Sequence, residues 1–312
     1  MRILFVKTSS LGDVIHNCPA VSDAARRVPG ASIDWMVEEP FAELAALHSS
    51  VRRVIPVAVR RWRAAPLSPA TWSEFSQFRR ALRSERYDCV IDSQGLVKSA
   101  LLASLALGEK NGFDRASARE PFAAHFYDLR HAVPQGLHAV ERNRRLAAAV
   151  LGYAADGGCD YGLRAPGEAS LAVPAPFALL LTMTSRSDKL WAEERWIELG
   201  RALGERGAQS VLPWGNEAER ARCERIALGI GGALVPRRMT LAELARLMPR
   251  ARWVAGVDTG LAHLAAALGV AAVGIYSGSD PALTGLYGND RAHSLGTAGK
   301  SPSAREVLES LV

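Results

Sequence analysis

Hydrophobic and polar positions along this chain follow two alternating periods. Short apolar, β-branched runs at Ile3–Val6, Ile33–Val37, Val54–Val59 and Cys89–Ile91 predict buried strands. Between them, apolar residues recur at helical spacing near Val14–Arg27, Phe41–Leu47, Phe75–Arg83 and Leu96–Leu107. A strand followed by a longer helix, repeated, predicts βαβ units: a parallel sheet with helices on both faces. A further helix, Ala139–Leu151, runs to Gly152, a residue suited to the left-handed turn that closes helices.

Residues 154–176 interrupt the pattern with Gly157, Gly158, Gly162, Pro166, Gly167, Pro174 and Pro176, the composition of a linker. The alternation then restarts. Strands are expected at Phe177–Met183, Ser210–Pro213, Trp253–Val257 and Ala272–Tyr276, and helices at Glu193–Glu205, Glu217–Ala227, Leu241–Met248, Leu261–Leu268 and Ala304–Leu311. No short repeat or low-complexity tract is present. The expectation is an α/β protein of two doubly wound domains, residues 1–160 and 161–312. Ligands of such sheets bind outside the carboxyl ends of the strands, so the residues just after each strand are the ones to inspect.

Composition agrees with two globular cores. Of 312 residues, 48% are hydrophobic and 22% charged, and roughly 100–200 residues suffice for one domain. The net charge of +6 is unevenly spread. No acidic residue lies between Glu43 and Glu74, where Arg52, Arg53, Arg60, Arg61 and Arg63 fall. That stretch is either a solvated basic face or a site for phosphates, carboxylates or an anionic membrane surface. The four cysteines (Cys18, Cys89, Cys159, Cys223) lie far apart without a CxxC pair, which argues against a zinc site or disulfide framework. The chain starts on a strand-like run without the apolar stretch of a secretory signal. Its most apolar segment, Leu261–Tyr276, is too short to span a bilayer and is broken at Gly269. A soluble protein in a reducing cytoplasm, touching a membrane at most from one side, is the expectation.

Three post-strand loops carry candidate chemistry. The first, Lys7 to Asp13 (KTSSLGD), leads into a helix and is neither GxGxxG nor GxxxxGK[ST]. Asp13 sits where a helix cap sits, and equally where a general base would face a cleft. The second, Thr184 to Lys189, offers hydroxyls and a lysine, a set that suits a diphosphate or makes an ordinary polar loop. The third, Asp258-Thr259-Gly260 with His263 in the following helix, joins a helix N-terminus to a glycine over which a phosphate can approach. Its alternative is a capping Asp or Thr with a core histidine. Glu217, after the loop Leu212–Asn216, suits either ribose hydroxyls or the positive end of its own helix. No DxD, HExxH, EF-hand or GxSxG pattern occurs.

Taken in order, KTSSLGD (Lys7–Asp13), VIPVAVRRWR (Val54–Arg63), VIDSQGLVKS (Val90–Ser99), AREP (Ala118–Pro121), HAVER (His138–Arg142), DKLWAEERW (Asp188–Trp196), LPWG (Leu212–Gly215) and VDTGLAH (Val257–His263) resemble the bacterial lipopolysaccharide heptosyltransferases. The RRWR and AREP runs point to the branch that adds the first heptose, heptosyltransferase I. The resemblance spans nearly the whole chain. It implies a GT-B glycosyltransferase: two Rossmann-like domains facing each other across a cleft, with an inverting, metal-independent transfer and no cofactor. The donor it implies is ADP-heptose, and the acceptor the Kdo of Kdo2-lipid A at the cytoplasmic face of the inner membrane. In that picture Asp13 is the base and Lys189 assists the leaving group. Thr184, Ser185, Lys189, Glu217, Met239, Asp258, Thr259, Gly260 and His263 hold the donor. Lys7, Ser10, Arg60, Arg61, Arg63, Lys98, Arg119, His138 and Arg142 meet the anionic acceptor. By the same resemblance the last helix, about residues 302–312, is expected to pack back on the first domain.

Rival readings have less to stand on. A nicotinamide-dependent oxidoreductase requires the absent GxGxxG. A nucleic-acid-binding protein requires a basic stripe with stacking aromatics in a recognisable module. A heptosyltransferase acting on a later core sugar, or a non-catalytic sugar-nucleotide binder of the same fold, differs only in activity.

Overall fold

The computed structural model describes residues 1–312 as two units, Met1–Leu163 and Arg164–Val312. The division falls inside the Gly- and Pro-rich stretch, just beyond the boundary at residue 160 expected from composition.

The first unit contains β1 (Arg2–Val6), α1 (Leu11–Arg27), β2 (Ser32–Glu38), α2 (Ala42–Ala46), β3 (Val51–Val57), α3 (Val59–Ala64), α4 (Pro69–Leu82), β4 (Arg86–Asp92), α5 (Val97–Ser104), β5 (Leu107–Phe113), β6 (Leu129–His131) and α6 (Ala139–Leu151). Its six strands are all parallel, in the order β3-β2-β1-β4-β5-β6. The order reverses between β1 and β4, and that is the crevice where Rossmann-type sheets bind ligands. Ile3, Leu4, Phe5 and Val6 of the central strand are completely buried, as expected for a strand covered on both faces.

The second unit contains β7 (Phe177–Leu181), α7 (Glu193–Glu205), β8 (Gln209–Val211), α8 (Glu217–Ile230), α9 (Leu241–Leu247), β9 (Trp253–Val257), α10 (Gly260–Ala267), β10 (Ala272–Ile275), α11 (Pro281–Thr284), β11 (Ala292–Leu295) and α12 (Ala304–Leu311). These strands are also parallel, in the order β11-β10-β9-β7-β8, with the reversal between β7 and β9. Trp191 and Trp196 meet edge to face, 4.8 Å apart, in its core.

Three departures from the sequence reading have local causes. The third strand stops at Val57, and Val59, expected in it, opens α3. The helix expected to reach Leu107 ends at Ser104, and Leu107 begins β5. β5 reads Leu-Gly-Glu-Lys-Asn-Gly-Phe, without an apolar run, because its interior places are filled by Asn111, Gly112 and Phe113. Gly112 is required there: a Cβ would stand 2.3 Å from the Tyr127 ring. β6 and β11 carry charge or histidine and were likewise hidden from periodicity. The last helix, for which a return to the first domain was expected, packs on α7, β9 and β10 of its own unit, with Ala304, Val307 and Leu311 in that unit's core. The Trp191 indole N–H donates to the Pro302 carbonyl (2.9 Å), and a Ser303–Glu306 capping box starts the helix.

Candidate active site

In the first unit the loop after β1 enters the reversal point and is held there by β4 and α5. The side-chain carbonyl of Gln94 accepts the backbone N–H groups of Thr8 (3.0 Å) and Ser9 (3.3 Å). Lys98 donates to the Ser9 hydroxyl (3.1 Å). Lys7 turns inward and donates to the Ser93 carbonyl (2.7 Å) and the Asn143 amide oxygen (3.3 Å). Its burial brings the ammonium down to about 8, against the pull of Asp13 and with a further push from Arg119. Asp92 anchors the β4 side: fully buried, it accepts the Gln94 N–H (2.9 Å), the Ser99 hydroxyl (2.8 Å) and the Tyr127 hydroxyl (2.8 Å). Desolvation raises its carboxyl above the usual range in spite of these donors.

Asp13 lies in the first turn of α1, where it accepts the Ser10 N–H (2.9 Å), the reciprocal half of a capping box. It is therefore not the N-cap itself, which is Ser10. Arg119 approaches both carboxylate oxygens, 3.4 Å from the one that holds Ser10 and 3.5 Å from the other, and the side chain keeps solvent contact. Arg142 stacks over Phe113 (4.9 Å) and donates to the Ser117 carbonyl. Burial, with Arg119 beside it, lowers its pKa. His138 caps α6 by accepting the Val140 N–H (3.2 Å) and meets the His16 ring edge-on at 5.4 Å. Lys7, Ser10, Asp13, Lys98, Arg119 and Arg142 thus share one end of the sheet, with Asp13 half-buried among the cations.

The basic stretch divides. Arg52 and Arg53 are structural: both grip the buried Asp34 (2.8 and 3.0 Å). Arg60 lies over Phe41 (5.9 Å) and beside Glu38 at the end of β2. Burial raises the Glu38 carboxyl, with Arg60 and Lys98 acting against that rise. Arg61 is held by Glu39 (2.8 Å) and Glu74, and Arg63 is exposed. Neither Arg61 nor Arg63 forms a bond with Lys7, Asp13 or the loop between them.

In the second unit Asp258 follows β9 and organises the reversal point. It receives Lys189 (2.5 Å) and Ser279 (2.5 Å) on one oxygen, and His263 stands 3.9 Å from the other. Burial works against its ionisation, but the hydrogen bonds from His263, Lys189 and Ser279 outweigh it and hold the carboxyl well below the usual range. Thr184 donates to the Asp258 carbonyl (2.9 Å), joining the loops after β7 and β9. Thr259 occupies the N-cap of α10 without a side-chain capping bond, and Gly260 is the first helical residue. The alternative reading of this loop is met at Thr259, which stands at the N-cap, and at His263, a buried histidine satisfied by Asp258, whereas Asp258 itself caps nothing. Ser185 is exposed. Met239 is buried. Glu217 points outward from the first turn of α8, its nearest cation being Arg220 (3.6 Å), so it does not join the Asp258 cluster.

Sequence reasoning passed over Gln94, Asn143, Glu38 and Ser279. Gln94 lies inside the VIDSQGLVKS run, but its value depends on accepting two amides of a distant loop, which no local pattern encodes. Ser279 follows β10 in a Ser-Gly-Ser turn, where a post-strand hydroxyl was the available signal. Gly278 between the serines is required, since a Cβ would come within 2.7 Å of the Asp188 carbonyl.

The profile of glycosyltransferase family 9 (heptosyltransferase) matches residues 75–310. Lipopolysaccharide heptosyltransferase 1 of Salmonella typhimurium is 47% identical over 294 residues, covering 93% of each chain. The solved structure of E. coli heptosyltransferase WaaC with ADP superposes with a TM-score of 0.92 at 42% identity over the whole of both chains. The same enzyme with ADP-2-deoxy-2-fluoro heptose gives 0.88 at 41%, over 99% of this chain and 98% of the other.

Proposed function

The chain belongs to glycosyltransferase family 9, the heptosyltransferases, and on that premise we propose that it moves heptose from ADP-heptose to the Kdo of Kdo2-lipid A, by an inverting reaction that requires no metal. It is a heptose-transferring enzyme of lipopolysaccharide core biosynthesis. The choice of donor is supported by the relatives solved with ADP and with an ADP-heptose analogue. The choice of acceptor is supported by the cationic set around Lys7, Lys98, Arg119 and Arg142, which suits the carboxylates and phosphates of such a glycolipid.

In this reading Asp13 takes the proton of the acceptor hydroxyl. Its hydrogen bond to the Ser10 N–H fixes one oxygen, Arg119 lies within 3.5 Å of both, and the other oxygen is the one left to take the proton. The oxygen freed of its proton attacks the anomeric carbon of the heptose from the side opposite the ADP. The carbon–oxygen bond to the diphosphate breaks, and its electron pair stays on the phosphate. Lys189, the Thr184 and Ser185 hydroxyls and the first N–H groups of α10 neutralise that charge. Lys189 is held in wait by Asp258, and a diphosphate competes for its ammonium. Asp258, His263 and Gly260 shape the donor site, and Met239 and Glu217 lie toward the nucleoside. No helix is long and apolar enough to cross a membrane, and the enzyme is proposed to work at the cytoplasmic surface of the inner membrane.

The observation that carries the reading is the Lys189–Asp258–His263 cluster at one reversal point together with the Asp13–Arg119 pair at the other. The experiment is ADP release from ADP-heptose in EDTA, with and without de-acylated Kdo2-lipid A. Acceptor-dependent release is expected. Release only on addition of a divalent metal, or none with this acceptor, removes the corresponding part of the proposal.

A further inference from the structure

Many arginines of this protein hold carboxylates, and among those that form no ion pair three stand together at the end of one helix. Arg52, Arg53, Arg61, Arg144, Arg222, Arg225 and Arg237 all hold carboxylates. At the C-terminal end of α4, Arg79, Arg80 and the C-cap residue Arg83 are exposed and form no ion pair, and with Ser76 they frame an open groove. The nearest acids in sequence are already engaged. Glu74 accepts from the Trp62 indole (2.9 Å) and Arg61, and Glu85 accepts from Arg52 (2.8 Å).

The same helix presents apolar surface. Its inner face is spent on the core through Phe78 and Leu82, with Phe75 against Trp62. Yet Trp72 on its outer face is 61% exposed, and Leu67, in the turn before it, is 89% exposed. Trp72, Ser76, Arg79 and Arg83 recur at three- and four-residue spacing and so form one stripe. α4 runs back from the end of β3, so Leu67 and Trp72 sit at the carboxyl edge of the sheet, the edge that carries Lys7, Asp13 and Arg60. The unpaired arginines extend away from that edge.

We propose that the outer face of α4 is a docking surface for an anionic lipid bilayer, with Leu67 and Trp72 entering the interface and Arg79, Arg80 and Arg83 on lipid phosphates. An exposed tryptophan and leucine beside uncompensated arginines match an interface that is apolar at depth and anionic at its surface. The arrangement deepens the reading of a lipid-borne acceptor, since it sets the acceptor edge of the first unit against the membrane from which that acceptor is drawn. None of these residues contacts the Lys7–Asp13 loop.

The test is co-sedimentation of the full chain with vesicles of phosphatidylcholine alone and of phosphatidylcholine mixed with phosphatidylglycerol, without acceptor. The outcome therefore stands apart from the acceptor assignment. The unmodified protein is expected to partition onto the anionic vesicles and only weakly onto neutral ones. An Arg79→Gln, Arg80→Gln, Arg83→Gln variant loses on the order of a hundredfold in partition, from the worth of three surface cations. A Leu67→Ser, Trp72→Ser variant loses on the order of tenfold or more. Both variants retain ADP release with the water-soluble, de-acylated acceptor, which also shows that they fold. Equal binding to both vesicle types, or unchanged partition of the arginine variant, overturns the proposal. So does tight binding to duplex DNA in place of vesicles, or a lipid-free dimer that the Leu67→Ser, Trp72→Ser change dissolves.

Discussion

The two reversal points solve opposite electrostatic problems. In the first unit, Lys7 and Arg142 are buried without an ion pair of their own: burial brings the Lys7 ammonium down to about 8, with Asp13 and Asp92 pulling against it, and burial with Arg119 beside it lowers the Arg142 pKa. In the second unit, Lys189, Ser279 and His263 converge on one aspartate, and the charge is matched. An unbalanced cluster is paid for in desolvation and is relieved only by an incoming anion. A balanced cluster is comfortable when empty and releases its lysine when a diphosphate competes. In the proposed reaction the first serves as a preformed anion receptor and the second as a charge reserve, as expected where charge grows on the leaving group.

The sharpest way to break this contrast is Asp13→Ala. Transfer is expected to fall by about a thousandfold, within the range of a lost general base, while ADP binding stays within about tenfold. Near-normal turnover in acceptor-dependent ADP release removes Asp13 as the base. Next in size is Lys189→Ala, expected to lower the rate constant at least about a hundredfold, the scale of one lost transition-state donor. An unchanged rate in EDTA would mean that the charge is met elsewhere. Gln94→Leu tests whether the first loop must be held: the Thr8 and Ser9 amides lose their acceptor, at about 1–3 kcal/mol if they stay buried. The expected result is a rise of roughly tenfold in the acceptor KM, with donor KM unchanged. A drop in urea midpoint with both KM values intact would make Gln94 merely structural.

The smallest effect is in pH dependence. Above about 8 the Lys7 ammonium loses its proton in the free enzyme, so attraction for an anionic acceptor weakens and kcat/KM for acceptor falls. An acceptor anion favours the charged form, so the corresponding fall in kcat lies at higher pH. Lys7→Arg stays charged throughout and is expected to flatten the alkaline limb. A limb that persists in this variant assigns the titration to another group.

How much of this was legible depended on the kind of signal. Helix Glu193–Glu205 and strand Trp253–Val257 have the bounds read from periodicity, because both bury a plain apolar pattern. β5 was missed because its interior is Asn111, Gly112 and Phe113, a set that makes sense only once Tyr127 is seen against Gly112. Among site residues, Asp13, Lys189 and Asp258 were visible as charges placed after strands. Glu217 was visible in the same way, and the structure leaves it solvent-exposed beside Arg220 and outside the Asp258 cluster.

The sequence by itself determined the two-unit α/β architecture, the alternation of strand and helix and the loops that bear the chemistry, since these follow from local periodicity and from glycine, proline and capping residues. Strand order was decided only in three dimensions, and with it the meeting of Gln94 with the Thr8 and Ser9 amides and of Lys189 with Asp258. Partners separated by 86, 85 and 69 residues leave no local trace. The balance of charge at each site followed from those meetings, because desolvation depends on what surrounds a group and not on its neighbours along the chain.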